Sequence, residues 1–83
     1  MEKIFKVKLI TPTDVSEFAN AASSCPAGIK VLASHGEFVV DAKSIMGLYS
    51  LNLSQPITIE ISSDSDIDIN TYFAFFEKWI SNT

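Results

Sequence analysis

The sequence predicts a small α+β domain in which helices cover one β-sheet. Two patterns alternate from segment to segment along the chain. In one, every second residue is apolar, which is typical of half-buried strands; in the other, apolar residues are three or four apart, which is typical of amphipathic helices. The segments follow one another as β-α-β-β-α-β-α, without an internal repeat or a linker. Helices on one side of a single sheet would bury the apolar side of every strand. We therefore expect a two-layer sandwich, with residues 1–83 as one domain.

The composition favours a dense core and argues against several classes of protein. The 83 residues are 47% hydrophobic and 11% aromatic, so disorder is not expected. A formal net charge of −4 with six basic residues argues against nucleic-acid binding. No apolar run approaches the roughly 20 residues of a membrane span, and the N-terminus does not read as a signal peptide, which predicts a cytoplasmic protein. Cys25 is the only cysteine, and we expect it to be buried and inert.

The first strand and the first helix follow from the first 25 residues. From Phe5 to Leu9, apolar residues alternate with lysines, which indicates a half-buried strand. Asp14, with Glu17 three residues later, has the spacing of a capping box, and Thr13 is a rival N-cap. A short amphipathic helix is expected to follow. Its apolar positions are Val15, Phe18, Ala19, Ala22 and Cys25.

The middle of the chain predicts a hairpin and a second helix. Residues 29–33 and 38–42 flank the polar turn Ser34–Glu37, and a turn between two strand patterns indicates a β-hairpin. Ser44 is the natural N-cap of a helix of about two turns that ends near Leu51.

The last part of the chain predicts a strand, an acidic connector and a helix. Ile57–Ile61 has the clearest alternation in the sequence, and Ser62–Asp68 is polar and acidic. In the final helix, from about Ile69 to Ser81, Phe73 and Phe76 are expected in the core. The helix has more aromatic residues than one face needs, so Phe75 or the edge of Trp79 is a candidate contact for a homodimer or another partner.

One segment resembles a known family closely. The stretch Asp41–Leu53, DAKSIMGLYSLNL, is similar to the regulatory-serine region of HPr proteins from Gram-positive bacteria, and the order of elements agrees over nearly the whole chain. The matching residues are Lys43-Ser44, Ile45-Met46-Gly47 and Ser50-Leu51. The resemblance implies an open-faced β-sandwich, with a four-stranded antiparallel sheet and three helices on one face.

The resemblance also implies a role in the bacterial sugar phosphotransferase system. HPr proteins of that system receive a phosphoryl group on a histidine near the start of the first helix and pass it to sugar-specific carriers. In Gram-positive bacteria, a dedicated kinase also phosphorylates the serine at the start of the second helix. That modification slows the carrier function and creates a docking surface for a transcriptional regulator.

The sequence departs from the family at the phosphate-accepting loop, which reads roughly Leu-His-x-Arg-Pro-Ala in HPr proteins. Counted back from Ser44 without gaps, the histidine position falls on Thr13 and the arginine position on Val15. The region contains no histidine or arginine, whereas Asp14 and Glu17 add negative charge where a phosphoryl group requires positive charge. We therefore expect phosphotransfer by the family route to be absent, with no enzymatic activity and no catalytic residue.

The candidate site is the start of the second helix. By the resemblance, Ser44 is a candidate phosphorylation site, although a serine there also has the purely structural role of an N-cap. Ile45, Met46 and Tyr49 are candidate partner-binding residues, with packing on the sheet as the alternative. The expected partners are proteins: a serine kinase, and a transcriptional regulator or components of the phosphotransferase system. No cofactor, metal, nucleic acid or membrane is expected.

Two further features have simpler interpretations. His35, the only histidine, is expected to be a turn residue, although a phosphocarrier with an unconventional site remains an alternative. The spacing of Asp64, Asp66 and Asp68 is that of a calcium loop, but the glycine and the closing glutamate are missing, so we expect a solvated acidic loop. A structural or assembly module is the third functional hypothesis.

Overall fold

The computed structural model describes residues 2–64 and 68–81. It has four strands, three α-helices and one 3₁₀ helix, in the predicted order. They are β1 (Glu2–Val7), α1 (Pro12–Ser23), β2 (Ile29–His35), β3 (Phe38–Asp41), α2 (Ile45–Tyr49), β4 (Ile57–Ser63), α3 (Ile69–Phe73) and the 3₁₀ helix (Ala74–Trp79).

The strands form one antiparallel sheet in the order β1-β4-β2-β3, so β4 lies between the first two strands of the chain. One row of paired residues crosses all four strands: Phe5, Ile59, Ala33 and Val40. The adjacent row, which includes Glu60 and Asp41, belongs to the opposite face because successive side chains of a strand point to opposite sides. The four-stranded antiparallel sheet expected from the resemblance is confirmed.

The core lies between the inner face of the sheet and the helices. Every second residue of β4 is buried, and Ile57, Ile59 and Ile61 are each no more than 1% exposed. The five apolar positions predicted for the first helix region are also buried, as the helical spacing indicated. The fully covered side chains with the largest volumes include Phe18, Phe76, Ile29 and Leu48, so each layer contributes to one continuous core.

Helix α1 begins earlier than predicted. Thr11, rather than Asp14 or Thr13, is the N-cap, and Pro12 occupies the first turn. Proline suits that position because the first amides of a helix have no partner within the helix. Asp14 is the third helical residue and completes a capping box with Thr11.

Three boundaries in the middle of the chain also differ from the prediction. β2 extends to His35, so the hairpin turn consists of Gly36 and Glu37, and Gly36 has a φ of 62°. β3 ends at Asp41 rather than Ala42. Helix α2 comprises five residues, less than the two turns expected, since the chain leaves the helix after Tyr49.

The C-terminal segment is α-helical only at its start. After Phe73 it tightens into the 3₁₀ helix, and the peptide then runs beside the exposed edge of β1. The amide of Lys8 donates to the Trp79 carbonyl oxygen, and the amide of Ser81 donates to that of Lys6, each at 2.9 Å. The segment is therefore not one continuous helix, and the expectation of a helix up to Ser81 was wrong.

The acidic connector is shorter than expected. Ser62 and Ser63 belong to β4, and Asp68 is the N-cap of α3. The calcium-loop alternative included Asp66, which lies outside the described residues. Within 2–64 and 68–81, no helix combines the length and the apolar character needed to cross a membrane.

Candidate functional site

Ser44 lies at a turn that connects β3 to α2. The buried residue Ala42 anchors this turn, because its amide donates to the Val31 carbonyl oxygen of β2 at 2.9 Å. The Asp41 carboxylate then accepts a hydrogen bond from the Lys43 amide, and the Asp41 carbonyl accepts one from the Ser44 amide. Together these bonds set the direction in which the helix starts.

The predicted N-cap role of Ser44 is confirmed. Its Oγ accepts a hydrogen bond from the Gly47 amide at 3.1 Å, and its backbone has extended dihedral angles, as an N-cap requires. The residue is exposed. Ser44 thus caps the helix from an exposed position.

Lys43 directly precedes Ser44 in the sequence, and its side chain is bonded to the sheet. The Lys43 ammonium donates to the Ile29 carbonyl oxygen at 3.3 Å, and the Lys43 side chain is half-buried. On the other side, the Lys43 carbonyl oxygen accepts a hydrogen bond from the Ser23 hydroxyl at 3.4 Å. Ser44 therefore lies close to the C-terminal end of α1.

Helix α2 buries one side chain and exposes its other large ones. Leu48 is fully buried, whereas Ile45, Met46 and Tyr49 are 40%, 84% and 52% exposed. We call these three residues the α2 patch. Gly47 lets the helix approach β3 closely, because a Cβ atom there would be 3.3 Å from the Cβ of Val40.

The start of α1 is closed by its own side chains. The Asp14 carboxylate accepts hydrogen bonds from the amides of Ile10 at 3.0 Å and Thr11 at 3.2 Å, while the Thr11 hydroxyl accepts one from the Asp14 amide at 3.1 Å. The bonds from the Ile10 and Thr11 amides lower the pKa of Asp14 below its ordinary value. An anionic group is therefore already present beside the helix N-terminus.

The two positions obtained by counting back from Ser44 differ in their surroundings. Thr13 is exposed in the first turn of α1, whereas Val15 is 2% exposed and part of the core. Val15 is therefore not part of the exposed surface at the start of the helix. The residues at the surface of the helix start are instead Thr11, Pro12 and Thr13.

The sequence contained a signal for the true helix start that the prediction missed. Thr11-Pro12-Thr13-Asp14 has a hydroxyl residue at the N-cap, a proline at the first helical position and an acidic residue at the third. Each is a preferred residue at its place. The prediction followed the Asp14–Glu17 spacing instead, and therefore placed the N-cap at Asp14 or Thr13 rather than at Thr11.

His35 is placed apart from the Ser44 turn. It is the last residue of β2, pairs with Phe38 across the hairpin and is half-buried. No hydrogen bond or ion pair to its side chain is formed by residues 2–64 or 68–81. The expectation that His35 lies in the turn was wrong by one residue.

Cys25 is free and 6% exposed, and its thiol contacts the Ala21 carbonyl oxygen at 3.7 Å. Burial raises the pKa of this thiol, an effect that the charge of Lys43 opposes. Within the part of the chain that the structure describes, no three His, Cys, Asp or Glu side chains gather as a metal site would require.

The C-terminal aromatic residues divide between core and surface. Phe76 is fully buried and Trp79 is 7% exposed, whereas Phe75 is 43% exposed. Phe73 is half-buried and packs edge-to-face on Phe5, with ring centroids 4.8 Å apart. The candidate surface aromatic is therefore Phe75 and not Trp79.

A cleft that the sequence did not reveal lies between the start of α1 and the segment after α2. It has a volume of about 420 Å³ and is open to solvent. Leu9, Ile10 and Pro12 line one side, and Tyr49, Leu51 and Leu53 line the other. Its walls come from segments about 40 residues apart in the chain, so only the folded structure creates it.

Comparisons with known proteins place the chain in a family. No curated protein matches the sequence significantly. A crystal structure of "HPr-C-His from Thermoanaerobacter tengcongensis" has a similar fold, with a TM-score of 0.66 and 23% sequence identity over 94% of this chain and 88% of that one. The family model for the "PTS HPr component phosphorylation site" matches residues 14–70, more than half of the chain, and its match begins just after the exposed start of α1. This chain therefore belongs to the HPr family, the phosphocarrier proteins of the phosphotransferase system.

Proposed function

We propose that this protein is a non-catalytic member of the HPr family that regulates or binds partner proteins through the Ser44 helix. It would act in the cytoplasm, where the phosphotransferase system receives its phosphoryl groups. Its partners would be a serine kinase, and a transcriptional regulator or other components of that system. The proposal rests on the arrangement at the start of α1, where the Asp14 carboxylate accepts hydrogen bonds from the amides of Ile10 and Thr11.

Phosphotransfer through a histidine needs an imidazole nitrogen that accepts the phosphoryl group and positive groups that hold its charge. At the start of α1 the surface residues are Thr11, Pro12 and Thr13, and the charged group beside them is the carboxylate of Asp14. A carboxylate repels a phosphoryl group, because two anions interact unfavourably at short range. This arrangement supports the loss of the family's carrier chemistry.

The arrangement at Ser44 supports a different use of phosphate. Ser44 is an exposed residue, and the first amides of α2 follow it. A phosphate on an N-cap serine is stabilised by the helix N-terminus, which has a partial positive charge. The α2 patch begins at the next residue, so a new charge on Ser44 would lie directly beside an apolar surface.

One experiment tests the loss of carrier chemistry. The protein is incubated with the general phosphotransferase enzyme and phosphoenolpyruvate, and acid-labile phosphate is measured by intact mass at neutral pH. We expect no phosphorylation under conditions in which a histidine-bearing HPr is fully modified. Acid-labile phosphate that disappears in His35→Ala would overturn the proposal in favour of a carrier with an unconventional site.

A second experiment tests the regulatory serine. The protein is incubated with the Gram-positive serine kinase and ATP, and one phosphate is expected on the wild type and none on Ser44→Ala. Ser50→Ala is the matched control, since Ser50 is an exposed serine at the other end of the same helix. Absence of phosphate on the wild type, or an equal signal in Ser44→Ala, would remove the phosphorylation part of the proposal.

A further inference from the structure

The two edges of the sheet differ in how the rest of the chain covers them. The C-terminal peptide runs along the β1 edge and forms two backbone hydrogen bonds with it, at Lys6 and Lys8. At the opposite edge, no strand lies beyond β3. Within residues 2–64 and 68–81, no segment outside the sheet forms a hydrogen bond with the Val39 backbone. We call the uncovered side of Phe38–Asp41 the β3 edge.

The outward backbone groups of the β3 edge follow from the register. The Ala42 amide donates to the Val31 carbonyl oxygen, so the backbone at position 42 faces β2. In an antiparallel pair, residues that bond to the neighbouring strand alternate with residues whose amide and carbonyl groups point away from it. Val40 therefore faces β2, whereas Val39 and Asp41 face outward. The Asp41 carbonyl oxygen accepts a bond from the following turn, so the outward groups open to a further strand are the Val39 amide, the Val39 carbonyl and the Asp41 amide.

The β3 edge also has exposed apolar side chains. Phe38 is 70% exposed and Val39 is 61% exposed. Because successive side chains of a strand point to opposite faces, one of them lies on each face of the sheet. A strand added beside β3 would cover both, and aromatic and β-branched side chains form favourable pairs across strands. Open backbone groups next to apolar side chains are the features that strand addition by a partner uses.

The charges on the β3 edge are negative. Residues 31–42 contain Glu37 and Asp41 and no lysine or arginine, and both acidic residues are exposed. The Asp41 carboxylate accepts a hydrogen bond from the Lys43 amide, a neutral group that leaves its charge in place. Lys30 and Lys43 line a groove next to Asp41. In the described part of the chain, however, neither carboxylate of the edge forms an ion pair. A basic partner strand therefore complements this edge.

A second copy of the chain fits this edge less well. If two β3 strands paired antiparallel about a two-fold axis at Val39, Glu37 of each copy would lie directly opposite Asp41 of the other. Like charges that are directly opposite destabilise a sheet. Charged residues on an edge strand are one of the means by which proteins prevent such self-pairing. The β3 edge is therefore suited to a strand of a different protein.

We propose that the β3 edge binds an extended basic strand of a partner protein. The strand bonds to the outward backbone groups of Val39 and Asp41. Its apolar side chains cover the two exposed apolar side chains of the edge, and its lysine or arginine side chains lie opposite Glu37 and Asp41. The edge is formed by β3 and not by α2, so this inference goes beyond the proposed function and does not depend on phosphorylation of Ser44.

Two synthetic peptides of about nine residues test the chemistry of the partner. Both have valine, isoleucine and tyrosine in the centre and serines at the ends. The residues on either side of the centre are lysines in one peptide and glutamates in the other. Each peptide is titrated into isotopically labelled protein and followed by NMR. We expect the lysine peptide to bind about tenfold more tightly than the glutamate peptide. Equal or tighter binding of the glutamate peptide, or no saturable binding of the lysine peptide, would overturn the proposal.

Amide hydrogen exchange shows whether the peptide adds a strand. In the free protein the Val40 amide should be protected because it faces β2, whereas the Val39 and Asp41 amides should exchange at least about tenfold faster. Saturation with the lysine peptide is expected to slow the exchange of the Val39 and Asp41 amides at least about tenfold. Binding that leaves both rates unchanged would place the peptide elsewhere and contradict the proposal.

Two variants of the edge test the backbone and the apolar contacts. Val39→Pro removes an outward amide without removing a bond to β2, and is expected to weaken binding of the lysine peptide at least about tenfold. Phe38→Ala is expected to weaken it about fivefold, because the aromatic contact across the strands is lost. Phe75→Ala, which truncates an exposed phenylalanine of the 3₁₀ helix, is the matched control. Equal effects of the two phenylalanine variants would contradict the proposed site. The amide spectrum of each variant shows whether it is folded.

A charge reversal tests the pairing at Glu37. Glu37→Lys is expected to weaken binding of the lysine peptide and to strengthen binding of the glutamate peptide, so the preference for lysine should fall at least about fivefold. Glu2→Lys makes the same charge change on β1, at the opposite edge of the sheet, and should leave the preference nearly unchanged. Equal changes in the two variants would mean that the peptides respond only to net charge, and the proposal would be wrong.

The oligomeric state of the free protein completes the test. Analytical ultracentrifugation is expected to show a monomer at the concentrations used for NMR. A dimer in which the Val39 amide is protected would assign the edge to a second copy of the chain and overturn the proposal. None of these measurements needs phosphate or a kinase, so a failure of Ser44 to accept phosphate leaves their results unchanged.

Discussion

Thr11 and Asp14 cap helix α1 reciprocally: the Thr11 hydroxyl accepts a hydrogen bond from the Asp14 amide at 3.1 Å, and the Asp14 carboxylate accepts one from the Thr11 amide at 3.2 Å. The Asp14 carboxylate also accepts a hydrogen bond from the Ile10 amide, so it fixes the position of the residue before the N-cap as well. In this family the start of the first helix is where a phosphoryl group is received. In this chain, the hydrogen bonds of Thr11 and Asp14 hold the start of that helix.

Removal of the Thr11 hydroxyl tests the capping box. We expect Thr11→Ala to lower the free energy of unfolding by about 1 kcal/mol, because the Asp14 amide loses its partner. Urea denaturation followed by circular dichroism measures the change. Thr13→Ala, two residues away and exposed in the same turn, is the control and should change stability by less than about 0.5 kcal/mol. Similar losses in both variants would contradict the assignment of Thr11 as the N-cap.

The Asp14 carboxylate predicts a pH dependence of stability. Its pKa is lowered in the folded protein by the Ile10 and Thr11 amides, so the folded state favours the ionised form. The resulting stabilisation is fully present above the pKa that Asp14 has in the unfolded chain, and is lost as the pH falls through the lower pKa of the folded state. In Asp14→Asn this contribution is absent at every pH.

Thermal unfolding between about pH 6 and pH 2 measures this linkage. The wild type should be more stable than Asp14→Asn at the upper end, and the difference should shrink at the acidic end. Asp64→Asn, which alters an exposed carboxylate near the end of β4, serves as the control. Parallel curves for wild type and Asp14→Asn over the whole range would show that the Asp14 carboxylate is not coupled to folding.

Phe75 and Phe76 are neighbours in the 3₁₀ helix with opposite surroundings. Phe76 is fully buried and contacts the Phe18 ring at a centroid distance of 5.0 Å, whereas Phe75 is 43% exposed. We expect Phe76→Ala to cost about 3–5 kcal/mol, because it removes a core ring and leaves a cavity. Phe75→Ala should cost about 1 kcal/mol or less. Chemical denaturation distinguishes them, and a larger loss for Phe75→Ala would contradict the described packing.

Gly36 is expected to resist substitution for a conformational reason. Its φ of 62° lies in the left-handed region, although a Cβ atom there would meet nothing within 4 Å. Gly36→Ala should therefore destabilise the hairpin by about 1–2 kcal/mol. Gly36→Asn should cost less, since asparagine tolerates this region better than alanine. Equal free energies of unfolding for Gly36→Ala and Gly36→Asn would show that the turn has a different backbone conformation.

The ion pair of Glu17 and Lys78 should contribute little despite its 2.9 Å distance. Both side chains are well exposed, so a double-mutant cycle with Glu17→Gln and Lys78→Met is expected to give a coupling free energy of about 0.5 kcal/mol. The coupling should decrease in high salt. A value above about 2 kcal/mol would mean that the pair is shielded from water.

The local sequence determined most of the elements of this protein. Alternation in β4 and helical spacing in α1 identified residues that are buried, because burial on one side of an element imposes its period on the sequence. The N-cap of α2 was also readable, since the Ser44 hydroxyl bonds the amide of Gly47, three residues away. The segment around Ser44 further indicated the family.

Other features depended on contacts between distant parts of the chain. The position of β4 between β1 and β2 follows from how the layers pack, which no local pattern encodes. The C-terminal peptide leaves its helical course because the edge of β1 offers backbone partners at Lys6 and Lys8. The apolar cleft exists only because residues 9–15 and 49–54 meet in space. Sequence alone thus determined which residues are apolar and the order of the elements, whereas tertiary packing decided which apolar residues remain exposed together as a surface.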